Sequence, residues 1–354
     1  MPPPPIVIAH RGACGYRPEH TLAAYALAIE QGADFIEPDL VATRDGVLVA
    51  RHDVELSATT DVAGRGEFAD RRCRKRIDGV DVEGWFVEDF SLADLRRLRA
   101  RERLPGMRPG SAREDGLHGV PTFAEVLALA ASASRPVGFY PEIKRPTWFA
   151  LEGERIDGGA IGFDLGARLV DTLVEAGFTD PARLFLQSFE PASLRALRHR
   201  HLPRAGLALP LVQLLGPADE GPWDIAWHRA RGDDLHAIYG ESAPFADGAG
   251  PTRWADLIDP AGLRWLRGHA DALGPPVAAF AGGDDGAGPA WLADAFALGY
   301  AVHAYTLRAE TGGTEVARRL FGLRVHGAFF DQPDLGVAVR DAFVAARDAA
   351  ATRG

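Results

Sequence analysis

Cysteine and methionine are nearly absent from these 354 residues, with two of each. Cys14 and Cys73 could make at most one bridge, so no disulfide framework holds the chain, and two independent thiols are the simpler expectation. No apolar run reaches the about 18 residues of a membrane-spanning helix, which argues against a transmembrane segment. Positive charge is in deficit: 39 Lys and Arg stand against 49 Asp and Glu, a net charge of -10. That balance excludes wholesale nucleic-acid binding through a basic surface. An anionic ligand would need a local positive centre, built from a metal or from a few Arg and Lys. Residues 1–5 carry neither a basic segment nor an apolar core. The expectation is therefore no signal peptide and a cytoplasmic protein as numbered, with an exported chain trimmed before residue 1 as the alternative.

Apolar residues are plentiful, at 47% of the chain, enough for a large core. The length suits one α/β barrel with insertions, since such barrels run to roughly 250 residues and beyond. Strand patterns fall at 6–10, 34–42, 137–144, 183–189, 205–209, 235–239, 301–307 and 327–331. Helical patterns lie between most of them: 22–31 behind Thr21, 123–131 behind Thr122, 164–176, 191–200 and 291–298, with an Ala-rich helix after Pro333. Eight candidate parallel strands separated by helices predict a closed (β/α)8 barrel of TIM type, one domain over 1–354. The pattern breaks down over about 54–120, where a basic run (Arg71, Arg72, Arg74, Lys75, Arg76), several glycines and one short helix at 92–99 read as an insertion over one end of the fold. Glycine-rich stretches at 247–250 and 282–288 read as loops.

One further strand pattern, 47–53, follows 34–42 after only Thr43-Arg44-Asp45-Gly46. That link is too short for a parallel crossover, so the strand must fold back as a hairpin. Counting back from the turn sets His52 level with Glu37, while Glu37 and Asp39, two apart, share a face. Catalytic groups of barrels sit at the C-terminal ends of strands. His10, Glu37 with Asp39, Glu142 with Lys144, Gln187, and His303 with Tyr305 all occupy such ends. Each also has a plainer reading. A lone histidine is more often a bonded core residue, Glu142 and Lys144 could be an ion pair, Arg11 could pair with Glu19, and His303 and Tyr305 could simply fill the core. His199, His201, His228 and His269 read as surface residues. Phe35, Ile36 and Leu40 around the first two carboxylates predict burial, and buried carboxylates need a cation. Two histidines, three carboxylates and two cations form the set that metal-assisted hydrolysis of a phosphate ester requires.

The motifs go further. His10-Arg11-Gly12, Pro18-Glu19-His20-Thr21, Glu37-Pro38-Asp39, Asp45-Gly46, His52-Asp53, Thr60-Asp61-Val62 and Glu142-Ile143-Lys144 resemble those of the glycerophosphodiester phosphodiesterases. Gln187-Ser188-Phe189, the segment from His303 to Arg308 and Phe329-Phe330-Asp331-Gln332-Pro333-Asp334 extend the likeness over about residues 6 to 335. The long stretch after His52 resembles the insertion of a subclass usually found outside the cytoplasm. The resemblance implies hydrolysis of a small-molecule glycerophosphodiester to sn-glycerol 3-phosphate and an alcohol. His10 and His52 would be the general acid/base pair; Glu37, Asp39 and Glu142 would bind a divalent metal. Arg11 and Lys144 would hold phosphate oxygens, with Gln187 and Tyr305 completing the substrate site. Tyr305 stands where many members carry Trp. Ligation by three carboxylates favours Ca²⁺ or Mg²⁺ over zinc. Two alternatives stand beside this reading. Phospholipase D-like cleavage of lysolipids would want an apolar ramp, for example from Trp85, Phe86 and Phe90. A barrel that only binds glycerophosphodiesters would be expected to have lost one histidine, and both are present.

Overall fold

Strand β1 (Ile6–His10) is apolar enough to run through the interior, with Val7, Ile8 and Ala9 fully buried. The computed structural model describes residues 3–248, 250–281 and 288–352, and every element named here lies within them. The other strands are β2 (Phe35–Glu37), β3 (Asp39–Ala42), β4 (Leu48–Ala50), β5 (Cys73–Ile77), β6 (Val80–Gly84), β7 (Gly138–Phe139), β8 (Glu142–Ile143), β9 (Leu186–Ser188), β10 (Leu211–Leu214), β11 (Ala272–Gly274), β12 (Ala301–Leu307) and β13 (Gly327–Phe330). Eleven of them pair in the order β4-β3-β8-β9-β10-β11-β12-β13-β1-β2-β7, and only β3–β4 is antiparallel. β2 and β3 are two halves of one stave broken at Pro38; β7 and β8 are halves of another, broken at Tyr140-Pro141. Proline has no N–H to give to a ladder, so each break falls where a proline stands. With each broken stave counted once and β4 set aside, eight parallel staves follow one another around a closed ring. This is the expected (β/α)8 barrel with its early hairpin.

Ile8, Phe35, Tyr140, Val212, Ala272 and Phe329 come from different staves and pack together as a filled interior. His303 joins them, its Nδ1 2.7 Å from the Tyr140 hydroxyl. Thr21 and Thr122 start outer helices as expected, and Asp164, read as the first residue of its helix, is instead the cap. Thr21 Oγ1 accepts from Ala24 N at the head of Leu22–Glu30, Thr122 and Glu125 form a capping box on Phe123–Ala131, and Asp164 caps Leu165–Glu175.

Several expectations are corrected. Residues 235–239 are a helix, Leu235–Tyr239, whose cap Asp234 accepts from Ala237 N; its buried Leu235 and Tyr239 are four apart, which suits a helix face as well as a strand. The sixth stave is instead β11, too short to show a pattern. Residues 205–209 turn at Gly206 (φ 69), and the fifth stave begins at Leu211 after Pro210. The hairpin loop is three residues, not four. Thr43 N donates to Val47 O at 3.0 Å, and Gly46 takes the left-handed conformation (φ 76) that such a loop requires. The register therefore slips by one: Leu40 faces Ala50, and His52 falls level with Pro38 rather than Glu37. His201, His228 and His269 are buried rather than on the surface, the first two against Asp164 and Asp233 and the third against Trp265. Of the loops expected from glycine, residues 249 and 282–287 lie outside the described residues.

The insertion over 54–120 carries the hairpin β5–β6, short turns and a helix of only Leu92–Leu95. It is stitched to the barrel by Arg44 N to Phe90 O at 2.8 Å and by Leu92 N to Asp45 Oδ1 at 2.9 Å. Phe86 and Phe90 are fully buried in the core shared with the barrel helices, and Trp85 is half-buried with its indole N–H on Phe68 O. They form no apolar ramp. Cys14 and Cys73 are free thiols, and no helix of the described residues is long and apolar enough to cross a membrane.

Candidate active site

Register lays out the site. β1 pairs with β2 so that His10 stands level with Glu37; β3 pairs with β8 so that Asp39 stands level with Glu142; β8 pairs with β9 so that Glu142 stands level with Gln187. All five lie at the same barrel end. Glu37, Asp39 and Glu142 are buried, and one oxygen of each lies within 4.8 Å of the other two.

Around this trio are cations and donors. Arg11 N donates to Glu37 Oε2 at 2.8 Å, and Gln187 Nε2 donates to Glu37 Oε1 at 3.2 Å. Arg11 Nε lies 3.1 Å from Asp39 Oδ2, which His20 Nε2 also meets at 2.9 Å. Lys144 Nζ sits 2.7 Å from Glu142 and 3.5 Å from Asp39. Arg11 (φ 58) and His20 (φ 57) both hold the left-handed backbone region, tied by His20 N to Arg11 O at 3.0 Å. Such conformations cost on the order of 1–3 kcal/mol each and gather at functional sites.

Three carboxylates outnumber two cations here. Burial, with Asp39 and Glu142 alongside, raises the Glu37 carboxyl well above its ordinary value. Burial also pushes Glu142 up to about 8 despite Lys144. Asp39 goes the other way: burial would raise it, but Lys144 and Arg11 hold it well below the usual range. Gln187 Oε1, beside the trio, is buried with no hydrogen-bond partner. A buried, all-oxygen, anion-rich donor set with a spare carbonyl oxygen fits a hard divalent cation.

The histidines flank this centre, each held from behind by an aspartate. His10 Nδ1 lies 2.6 Å from Asp331 Oδ1 and His52 Nδ1 lies 2.7 Å from Asp53 Oδ1. The charge of Asp39 reaches both rings. Burial and then Arg11 lower both, His52 to about 3, so both rings are neutral near pH 7. Tyr305 spends its hydroxyl on Leu215 O at 2.6 Å and sets its ring edge-on to Phe189, over which Lys144 Nζ sits 5.7 Å from the centroid. Arg11 also meets Glu19 at 3.2 Å, as the plainer reading of the pair expected. Sequence reasoning gave no role to Asp331, Asp53 or His20, although all three lie inside the quoted motifs. It missed Arg103, Arg108 and Arg308 as partners of those acids, because their contacts span up to 223 residues.

A TIM-type barrel with this constellation at its rim defines a class, the phosphoric diester hydrolases. The family model of the glycerophosphoryl diester phosphodiesterases matches residues 10–335. The chain belongs to that family and is an enzyme of it. It is 32% identical over 282 residues to a glycerophosphodiester phosphodiesterase of Haemophilus influenzae, covering 72% of this chain and 70% of that one. It is 39% identical over 198 residues to a glycerophosphodiester phosphodiesterase of Arabidopsis thaliana, covering 54% of this chain and 51% of that one, so this match spans about half the plant protein. Among solved structures, it resembles an Oleispira antarctica phosphodiesterase in complex with the product sn-glycerol-3-phosphate, with TM-score 0.57 and 21% identity over 96% of this chain and 97% of that one. It also resembles a glycerophosphodiester phosphodiesterase of Agrobacterium tumefaciens, with TM-score 0.55 and 20% identity over 94% and 99%. These two likenesses show the fold.

Proposed function

We propose that this chain hydrolyses small-molecule glycerophosphodiesters to sn-glycerol 3-phosphate and an alcohol, with His10 and His52 as its acid/base pair and Glu37, Asp39 and Glu142 holding Ca²⁺ or Mg²⁺. The observation that carries this reading is the convergence of two aspartate-backed imidazoles on one buried carboxylate trio. A hard divalent cation bound there supplies positive charge to phosphoryl oxygens.

The chain's own groups do the rest. Arg11 and Lys144 are the cations placed to orient the phosphate. Each imidazole has its Nδ1 committed to an aspartate, so Nε2 is the atom left for proton transfer. One ring takes the proton of the nucleophile, and the other, as imidazolium, gives one to the departing alkoxide. Arg11 disfavours the charged ring in the free enzyme. An anionic substrate among the same cations offsets that field.

The test is release of sn-glycerol 3-phosphate from a panel of deacylated phosphodiesters, with and without chelator. Release that stops with chelator and returns with Ca²⁺ or Mg²⁺ is the expected result. A fully active metal-free preparation would recast the carboxylates as structural.

A further inference from the structure

Both imidazoles are braced through one stretch of the insertion. Asp331, whose Oδ1 faces His10, accepts on Oδ2 from Arg108 Nη2 at 2.5 Å and from Arg308 Nε at 3.0 Å. Arg108 is fixed in turn by Glu310 at 2.8 Å and by the Cys14 carbonyl at 3.0 Å, and its side chain is only 6% exposed. Asp53, whose Oδ1 faces His52, meets Arg103 Nη2 at 2.7 Å through Oδ2. Arg103 also grips both oxygens of Glu19, at 2.8 and 2.7 Å, and Glu19 meets Arg11. Arg103 and Arg108 lie five residues apart in a segment that contributes no barrel stave.

Resting on the acid/base reading above, we propose that Arg103 and Arg108 are positioning residues through which the insertion fixes the tautomer of both catalytic histidines. An ionised carboxylate can only accept a hydrogen bond, so the shared proton must belong to the imidazole Nδ1, and Nε2 keeps its lone pair for the substrate. Both aspartates lie below the ordinary carboxylate range: burial would raise them, but the imidazole and arginine beside each outweigh it. Hydrogen bonds from a guanidinium also fix the carboxylate in direction. Without Arg108, Asp331 keeps one cation partner, Arg308, whose side chain is 43% exposed. Without Arg103, Asp53 keeps no cation within ion-pair distance among the described residues. The insertion is thus part of the catalytic apparatus.

The test uses the metal-loaded full chain with sn-glycero-3-phosphocholine. Asp331→Asn should lower kcat by about 10²-fold or more, with KM within about threefold of wild type, because the amide can hold the ring in the wrong tautomer. Arg108→Ala should lower kcat about tenfold, Arg108→Lys should recover part of the loss, and Arg108→Ala should cost nothing more in the Asp331→Asn background. Arg103→Ala should lower kcat through Asp53 and raise KM through Glu19 and Arg11. In ¹⁵N spectra of wild type, the His10 ring, identified by its disappearance in His10→Ala, should carry its proton on Nδ1. The proposal is overturned if that proton sits on Nε2, or if Arg108→Ala costs the same factor with and without Asp331. The wild-type spectrum still tests the tautomer if Arg108→Ala or Asp331→Asn does not fold. Near-normal turnover by His10→Ala would instead sink the acid/base reading itself, whatever the spectrum shows.

Discussion

Asp39 stands level with Glu142 across two neighbouring parallel strands. The relationship belongs to the backbone. Ladder spacing, about 4.7–4.9 Å, sets the distance between these two carboxylate positions, and Glu37 joins them across the break at Pro38. The ligand oxygens all fall within 4.8 Å of one another.

His10→Ala and His52→Ala should each lower kcat by about 10²–10⁴-fold, the usual share of a general acid or base. The double variant should be far less than multiplicatively worse, because the pair acts as a unit. Metal content, measured by elemental analysis, should be unchanged. Near-normal turnover by His52→Ala would remove it from the mechanism.

Metal uptake should release protons. Glu142 is pushed up to about 8 by burial, and Glu37 is raised by burial and by its acidic neighbours, so the metal-free site holds protons that a cation must displace. Affinity should therefore rise as pH rises towards about 8. Titration calorimetry in two buffers of different ionisation heat reads the released protons directly. Glu37→Gln should weaken binding by at least the about 10-fold that loss of even a supporting partner costs. A pH-independent affinity would mean that the trio is already ionised.

The nucleophile is predicted to be the substrate's own hydroxyl beside the ester. A tethered group gains an effective molarity of about 10⁵ M or more over free water. One histidine would accept that proton while the other gives one to the leaving group, yielding a cyclic phosphate whose hydrolysis reverses the roles. A glycerol 2-deoxy analogue should then bind as an inhibitor and turn over very slowly. Normal turnover of that analogue would favour direct attack by water.

Stability should depend on Glu190, far from the trio in sequence. It accepts from Thr147 N at 2.8 Å and from Thr147 Oγ1 at 2.5 Å, and burial, with Asp224 nearby, pushes it up to about 8. The folded chain thus keeps a proton that the unfolded chain loses near its ordinary value of 4.5, and stability falls as pH rises between those values. Glu190→Gln removes this penalty. Its Tm relative to wild type should be higher at pH 8.5 than at pH 5, as thermal melts would show. A difference that does not change with pH would contradict the assignment.

Legibility in the sequence followed the range of the interactions. Thr21 and Thr122 cap helices within three residues of themselves, and both signals were readable. The eightfold count of staves was also readable, but not every stave. β11 has three residues, which no periodicity can reveal, and Leu235–Tyr239 presents an apolar spacing that strand and helix share. The hairpin register erred by one residue because Thr43, counted in the loop, pairs with Val47 and leaves only 44–46 to turn. The core of the site was visible because its members end strands. Arg103 and Arg108 were not, since nothing local distinguishes them from other arginines of the insertion; only the folded chain brings them to Asp53 and Asp331.

The rungs that join His10 to Glu37, and Asp39 to Glu142 to Gln187, act like a reading frame. Side chains alternate along a strand, so one residue added or removed within a stave turns every later side chain to the opposite wall. Changes of length therefore accumulate mainly between staves, as the stretch from 54 to 120 illustrates by its size, and the one extra residue within a stave, between Ala304 and Leu307 of β12, is set apart as a bulge. Inside the staves that carry the rungs of the site, this enzyme can exchange residues but cannot gain or lose one.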